Sequence, residues 1–216
     1  RQHLAQWRHL DASELPRVEL IRHVIEHSLL AAHRHVFGVF FWFVVCSTLG
    51  LGPAGAVVYR LAEFASRYWA FKSRVLDAPT NVQLLAVSRQ AFGWIDHVPA
   101  RLTATGFAVV GNFEEAVNGW RRDAALWAQA NEGILLASAA GALGLRLGGA
   151  AAPTVTPDRS KTFDAGADPD AIGAAGSTAG AAPQLGHLQS VVGLVWRSVI
   201  LWMGLLALLT LANLVG

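Results

Sequence analysis

The residues with the most chemical potential sit in one compact phrase, Trp94-Ile95-Asp96-His97-Val98-Pro99-Ala100-Arg101-Leu102. It sets an acid and a base at the mouth of an apolar stretch. Pro99 suits the first turn of a helix, and Asp96 is positioned to cap that helix. A charge at the edge of an apolar region is costly unless paired, so Asp96–Arg101 or Arg101–Glu26 is the expected pairing. A second cluster holds His23, His27, His33 and His35. His23 and His27, four residues apart, could present two imidazoles on one helix face. No carboxylate completes a ligand set, so the cluster reads as a polar belt before a membrane segment and no metal site is assigned.

Other chemistries are excluded by pattern. GxxxxGK[ST], GxSxG, HExxH and a strand-borne GxGxxG are all absent. The single cysteine, Cys46, lies in an apolar run and can form neither a disulfide nor a zinc knuckle within the chain. It reads as a small packing residue. Net charge is only +2, which speaks against nucleic acid as a partner.

The elements that must position these groups are apolar. Hydrophobic residues make up 53% of the 216 and charged residues 15%, too few charges to coat a water-soluble surface. Residues 1–34 read as helical and polar. Asp11-Ala12-Ser13-Glu14-Leu15-Pro16 is a helix start, followed by an apolar stripe through Val18, Leu20, Ile21, Val24, Ile25, Leu29 and Leu30. Arg17, Glu19, Arg22 and Glu26 are expected mostly on the other faces. Residues 36–59 hold no charge and could span a bilayer, but Gly50-Leu51-Gly52-Pro53 interrupts them. The break allows a kinked span or two shorter helices meeting at a turn.

Residues 60–101 carry six Lys/Arg against three Asp/Glu and are expected to face the cytoplasm. Pro79 ends one helix there, and Thr80 or Asn81 caps the next. The uncharged stretches 102–113 and 133–145 are too short to cross alone. Each reads as the buried half of a longer helix or as a re-entrant element, the second with small residues that permit close packing. Residues 149–187, rich in Ala, Gly, Pro and Asp, read as a long flexible loop. Residues 198–216 are 19 without a charge and give the cleanest spanning signal, with Trp196, Arg197 and Trp202 at its interface end. The expected fold is all-α: a polytopic integral membrane helical protein with amphipathic interfacial helices. It divides into a helical membrane region (1–148), a loop (149–187) and a C-terminal transmembrane helix (188–216).

Glu26, Phe40-Phe41-Trp42, Gly52-Pro53-Ala54-Gly55-Ala56-Val57-Val58-Tyr59-Arg60, the Trp94–Leu102 phrase and Ala139-Ala140-Gly141-Ala142-Leu143-Gly144 occur in one order. That order resembles the membrane superfamily of the CobD/CbiB and AmpE proteins, over roughly residues 20–148 with a matching C-terminal span. Because such proteins carry further N-terminal helices, and because residue 1 is Arg, a segment before this chain is expected. The resemblance implies ligand-binding roles for Glu26, Tyr59, Arg60, Asp96 and Arg101. It names no catalytic residue, metal or cofactor.

CobD/CbiB proteins are adenosylcobinamide-phosphate synthases, which use ATP to join an aminopropanol-type unit to adenosylcobyric acid. Their Glu-Ser-x-Ala-Glu-Asn motif is replaced here at Leu30, Ala31 and Arg34, and their Asn-Thr-Leu-Asp stretch by Leu61-Ala62-Glu63-Phe64. AmpE proteins are similar in the Phe-Trp before the Gly-Pro break, in the Trp-x-Asp-x-x-Pro-x-Arg-Leu phrase and in Phe107-Ala108-Val109-Val110-Gly111. The resemblance therefore implies a non-catalytic, AmpE-like inner-membrane protein of signalling or assembly. A divergent synthase is the alternative, and an accessory subunit of a larger membrane complex a third. The expected partners are the lipid bilayer and a membrane protein or second copy of the chain. A protein of this kind stays in the membrane pellet through an alkaline carbonate wash; recovery in the supernatant would remove lipid as its solvent.

Overall fold

The structure is a computed structural model and describes residues 16–75, 82–149 and 176–215. It is mostly helical, and among the described residues there is no strand, only two isolated bridges. The helices are α1 (Arg17–Ala32), α2 (Gly38–Thr48), α3 (Ala54–Val75), α4 (Val82–Ile95), α5 (His97–Val110), α6 (Phe113–Asp123), α7 (Ala130–Leu143) and α8 (Leu185–Val215). One π-helical turn, His33–Phe37, joins α1 to α2, and a 3₁₀ turn, Ala124–Leu126, follows α6. The first described helix begins at Arg17 with Pro16 at its N-cap position, whereas the sequence places Pro16 inside the first turn behind a cap at Ser13, which lies outside the described residues. Residues 1–15, the caps at Thr80 and Asn81, and loop positions 150–175 lie outside the described residues.

The Gly-Pro break produces the second of its two outcomes. Gly50 (φ 77°) and Gly52 (φ 56°) adopt left-handed backbone that a side chain would resist, and the chain turns back on itself. Helix α3 then packs along α2 at Gly55, where a Cβ would lie 2.4 Å from the Cys46 sulfur and the Trp42 carbonyl oxygen. Residues 36–59 are thus a helical hairpin. The long continuous element instead runs from Arg17 to Thr48, 32 residues through the π turn. This element and Leu185–Ala212 are long and apolar enough to cross a membrane, by length and composition.

Helix α7 is the centre of the bundle. Residues Glu132 to Ala140 are buried on every side, with α5, α6, α1 and the 3₁₀ turn around them. Leu135 and Leu136 join Ile25, Leu29, Phe37, Phe107 and Leu194 in the core. Small residues make this possible. A Cβ at Gly141 would lie 2.1 Å from the Glu115 carbonyl oxygen, and one at Gly119 would lie 2.7 Å from that of Ala137. Gly144 (φ 64°) ends the helix in the left-handed conformation, and Leu145 N–H closes the cap on Ala140 O at 2.9 Å.

After this cap, residues 145–149 run beside 176–181, the ends of the expected loop. Arg146 N–H donates to Ala181 O and Thr178 N–H to Leu147 O, both at 2.8 Å. Helix α8 then begins at Leu185. It lays Trp202 against Phe37 and Phe40, with ring centroids 6.4 and 6.0 Å apart.

Polarity is distributed inside out. Helix α3 buries Tyr59, Glu63 and Ser66 on the face toward the bundle and exposes Val57, Val58, Leu61, Phe64 and Tyr68 on the other. Helix α8 buries Ser198 while Ile200, Met203, Leu205, Leu208 and Leu211 face outward. In α1, Arg22, His23 and Glu26 occupy the buried face, contrary to the expectation for Arg22 and Glu26. Each large apolar side chain left in water forgoes roughly 1.5–3 kcal/mol, so these stripes are built for an apolar surrounding.

Replacing Gly141 by Ala forces α6 away from α7. The expected result is a loss of roughly 1–3 kcal/mol, the usual cost of overpacking a filled core. It would be read as a lowered unfolding temperature in detergent; an unchanged midpoint would mean that the α6–α7 contact is looser than described.

Candidate functional site

The buried centre of the molecule is the Asp96 carboxylate, 5% exposed. Asp96 takes the N-cap position of α5, but its side chain makes no capping bond. It turns inward instead. Oδ1 accepts from the Tyr59 hydroxyl at 2.8 Å and lies 2.8 Å from His33 Nε2. Oδ2 accepts from the Asn131 amide at 3.3 Å, and that amide also donates to Gly93 O at 2.9 Å.

The partners come from the π turn, α3 and α7, so four elements converge on one carboxylate. A π turn slips the helical register by one residue, and such turns frequently mark functional sites. Here it carries His33. Gly38, at the start of α2, makes room for Tyr59: a Cβ there would lie 2.3 Å from the phenol oxygen. Phe92 packs on the Tyr59 ring at 5.7 Å between centroids, and Trp42 donates from its indole nitrogen to Ile95 O at 3.2 Å, tying α2 to the end of α4.

The hydrogen-bond pattern constrains the protons. The Thr103 hydroxyl donates to Pro99 O at 2.9 Å, leaving its lone pairs to face His33 Nδ1 at 3.0 Å. His33 Nδ1 is then a donor, and one proton lies between Nε2 and Asp96 Oδ1. Chemically, this is a buried acid–base dyad with a phenol attached.

An ion network adjoins it. Glu63, 2% exposed, receives Arg60 on one carboxylate oxygen and Arg67 on the other, both at 2.9 Å. Arg34, one residue past His33, pairs with Glu132 on α7. Both Arg34 and Glu63 are close enough to Tyr59 to act on its ionisation.

The five residues singled out in the sequence are therefore divided. Asp96 and Tyr59 bond directly. Arg60 joins the neighbouring network through Glu63. Arg101 donates to His97 O at 2.9 Å and to the Asn131 side-chain oxygen at 3.4 Å, so it touches the centre through Asn131. Neither expected pairing forms: Asp96 is taken by His33, and Glu26 is spent elsewhere. Fully buried on α1, Glu26 accepts from Gly148 N–H at 2.8 Å, while Arg22 donates to the Gly148 and Gly149 carbonyl oxygens. That pair ties the segment after α7 to α1.

Sequence reasoning passed over Asn131, took His33 for part of a polar belt and took Glu63 only as part of a stretch departing from a motif. The available signal was polar residues recurring on an apolar stripe: Arg22, Glu26 and His33 share a face with Ile25, Leu29 and Phe37. Among the described residues, no three His, Cys, Asp or Glu side chains are grouped to hold a metal ion.

A helical bundle with apolar faces outward and a carboxylate, imidazole and phenol enclosed at its centre defines a class: a helical protein with a polar interior site and two helices apolar enough to enter a membrane. The CobD/Cbib protein family matches residues 1–177, and the chain belongs to the CobD/CbiB family. It is 31% identical over 201 residues to a cobalamin biosynthesis protein CobD of Stutzerimonas stutzeri, covering 89% of this chain and 56% of that protein. It is 35% identical over 149 residues to a cobalamin biosynthesis protein CobD of Chromobacterium violaceum, covering 65% and 42%. The chain thus spans about half the length of the curated relatives it matches. No solved structure matches it.

These relatives overturn the expectation of an AmpE-like, non-catalytic signalling protein, because both are named for cobalamin biosynthesis. That expectation leaned on lost acidic positions. Yet the departing stretch Leu61-Ala62-Glu63-Phe64 still buries a carboxylate at Glu63.

Burial and the adjacent Asp96 push the Tyr59 phenol far above its ordinary value of 10. The folded state thus keeps this proton while the unfolded chain loses it, and stability falls as pH rises past about 10. Tyr59→Phe removes the effect: its unfolding temperature should decline less steeply above pH 10 than that of the wild type. Parallel curves would show Tyr59 to be open to solvent.

Proposed function

We propose that the chain acts in cobalamin biosynthesis as a multi-pass protein of the bacterial inner membrane, and that its reaction is of the adenosylcobinamide-phosphate synthase type. An amine is joined to the carboxyl group of adenosylcobyric acid with ATP as the energy source. The observation that carries this reading is membership of the CobD/CbiB family across residues 1–177, with relatives named for that pathway. The outward apolar stripes of α3 and α8 support lipid as the surrounding medium.

The site supports amide formation in one specific way. An amine must shed a proton as it attacks an activated carboxyl group, and a positioned base speeds such a step by about 10²–10⁴-fold. In this reading the His33–Asp96 pair, once it has given up the proton it shares, accepts that of the amine, Tyr59 and Asn131 hold the carboxylate in place, and the closed surroundings keep water from the activated acid. Arg101 positions Asn131, and Arg60 positions Glu63.

The test is growth of a bacterial strain that lacks its own CobD protein, on medium where growth requires cobalamin synthesis. The complete gene product should restore growth and the conversion of adenosylcobyric acid. Asp96→Asn and His33→Ala should lower that conversion about 100-fold while remaining in the membrane at wild-type abundance. Failure of the wild-type protein to restore growth although it is present in the membrane would end the proposal. Full activity of Asp96→Asn would remove the dyad from the chemistry.

A further inference from the structure

The Thr103 hydroxyl, enclosed on α5 at 1% exposure, stands between two partners. Its oxygen is 2.9 Å from Pro99 O on the same helix and 3.0 Å from His33 Nδ1, 70 positions away in the chain. A hydroxyl has one proton to give and two lone pairs to accept with. Threonines within helices often spend that proton on the carbonyl four residues back, as the exposed Thr105 and Thr210 do. Thr103 differs from those two in facing an imidazole. Pro99 O does not depend on the hydroxyl proton. In an α-helix it already receives the backbone N–H of Thr103, so the side chain supplies a second bond.

The neighbouring pair changes what it asks of this hydroxyl as it changes its proton count. With the hydroxyl on Pro99 O, the His33 ring carries Nδ1–H and shares a further proton with Asp96 Oδ1, 2.8 Å from Nε2. Once the pair has given up one proton, the ring holds a single N–H. Left on Nδ1, that proton would set the Nε2 lone pair against a carboxylate oxygen, two acceptors with no donor between them. On Nε2 it keeps the bond to Asp96, and the bare lone pair stands at Nδ1, opposite Thr103. The hydroxyl can meet it by rotating about its own C–O bond, with no heavy atom displaced. Neither state then leaves a ring nitrogen unmatched, and an unmet buried donor or acceptor would carry its full desolvation cost.

We propose that Thr103 is a positioning residue for the His33–Asp96 base: its hydroxyl donates to Pro99 O while His33 Nδ1 is protonated, and turns to donate to Nδ1 when the pair has lost a proton. The deprotonated pair is thereby held with Nε2–H on Asp96. When the amine's proton arrives, the ring is again doubly protonated and the hydroxyl returns to Pro99 O. Thr103 touches no reacting atom and acts through His33. Its service to amide formation rests on the reaction proposed above; the two hydroxyl positions do not. The other ionisable groups around the pair are Tyr59 and Glu63 on α3, Glu132 on α7 with its partner Arg34, and Arg101 through Asn131. Substitution of Thr103 leaves all of them in place.

The test reads the ring nitrogens directly. The complete protein, with heavy nitrogen in its histidines, is held in detergent micelles and followed by NMR from about pH 5 to about pH 9, the range in which histidines ordinarily exchange protons. The His33 signals are those missing from His33→Gln. In wild type, raising the pH should strip Nδ1 and leave Nε2 protonated, with Nδ1 resonating as a nitrogen that accepts a hydrogen bond. In Thr103→Val, which keeps the branched shape and drops the hydroxyl, the bare Nδ1 should move to the position of a nitrogen that accepts none, and Thr103→Ser should restore it. A wild-type ring that keeps Nδ1–H at every pH, or an Nδ1 resonance unmoved by Thr103→Val, overturns the proposal. The wild-type series stands by itself where a variant fails to fold.

In turnover of adenosylcobyric acid, Thr103→Val should lower kcat about tenfold with KM unchanged, and Thr103→Ser should recover most of the rate. An unchanged kcat in Thr103→Val removes Thr103 from the positioning of the base. Nitrogen signals that follow the expected course in a wild-type protein that makes no product refute the reaction and spare the two hydroxyl positions.

Discussion

The fold is organised around a carboxylate that has no water to lean on. Asp96 is buried where four structural elements meet, and each supplies a polar group facing its oxygens or anchoring those that do. Taking one partner from a buried ion pair typically costs 3–5 kcal/mol, because the remaining charge is left uncompensated. The His33, Tyr59 and Asn131 contacts therefore act as a registration device. They fix the π turn, the tilt of α3 and the start of α7 relative to one another. Small residues let this happen. Gly38 admits the Tyr59 ring, and Gly119 and Gly141 bring α6 close enough to α7 for the latter to sit enclosed.

The second constraint is the inversion of polarity. In a water-soluble bundle, Glu63 and Ser66 would face outward and Val57, Leu61 and Phe64 inward. Here the order is reversed on α3, and α8 presents a nearly continuous apolar exterior. The polar side chains of α3 are thereby enclosed by the bundle and bond to one another. This arrangement explains how a chain with 15% charged residues places so many of them out of sight. The structure assigns those charges to three jobs. Arg22 and Glu26 lock the segment after α7, His33 and Asp96 form the dyad, and the Arg34–Glu132 and Glu63 pairs form the ion network beside it.

Family membership changes what these charges mean. Substitutions at Leu30, Ala31 and Leu61 favoured a protein without chemistry when only the motif was compared. Relatives named for cobalamin biosynthesis, and carboxylates buried at Glu63 and Asp96, are the grounds of the role proposed above. A motif compared as a string does not register burial, and the helix phase that buries Glu63 against the bundle shows only in the structure.

Helical content, a break at Gly50–Pro53, the apolar runs and the family were legible in the sequence, which left open whether the break is a kink or a turn. Each depends on local periodicity, on the backbone freedom of a few glycines or on a sequence of words in fixed order. Asp96 and Tyr59 were legible as candidates for the same reason. Their partnership was not, because the contacts join residues 37 and 63 positions apart and depend on the register slip of one π turn. The sequence likewise contained Arg101 within easy reach of Asp96. Tertiary packing instead gave the buried carboxylate to His33 and Tyr59 and left Arg101 at the rim, because a carboxylate enclosed among helices takes the donors that are enclosed with it.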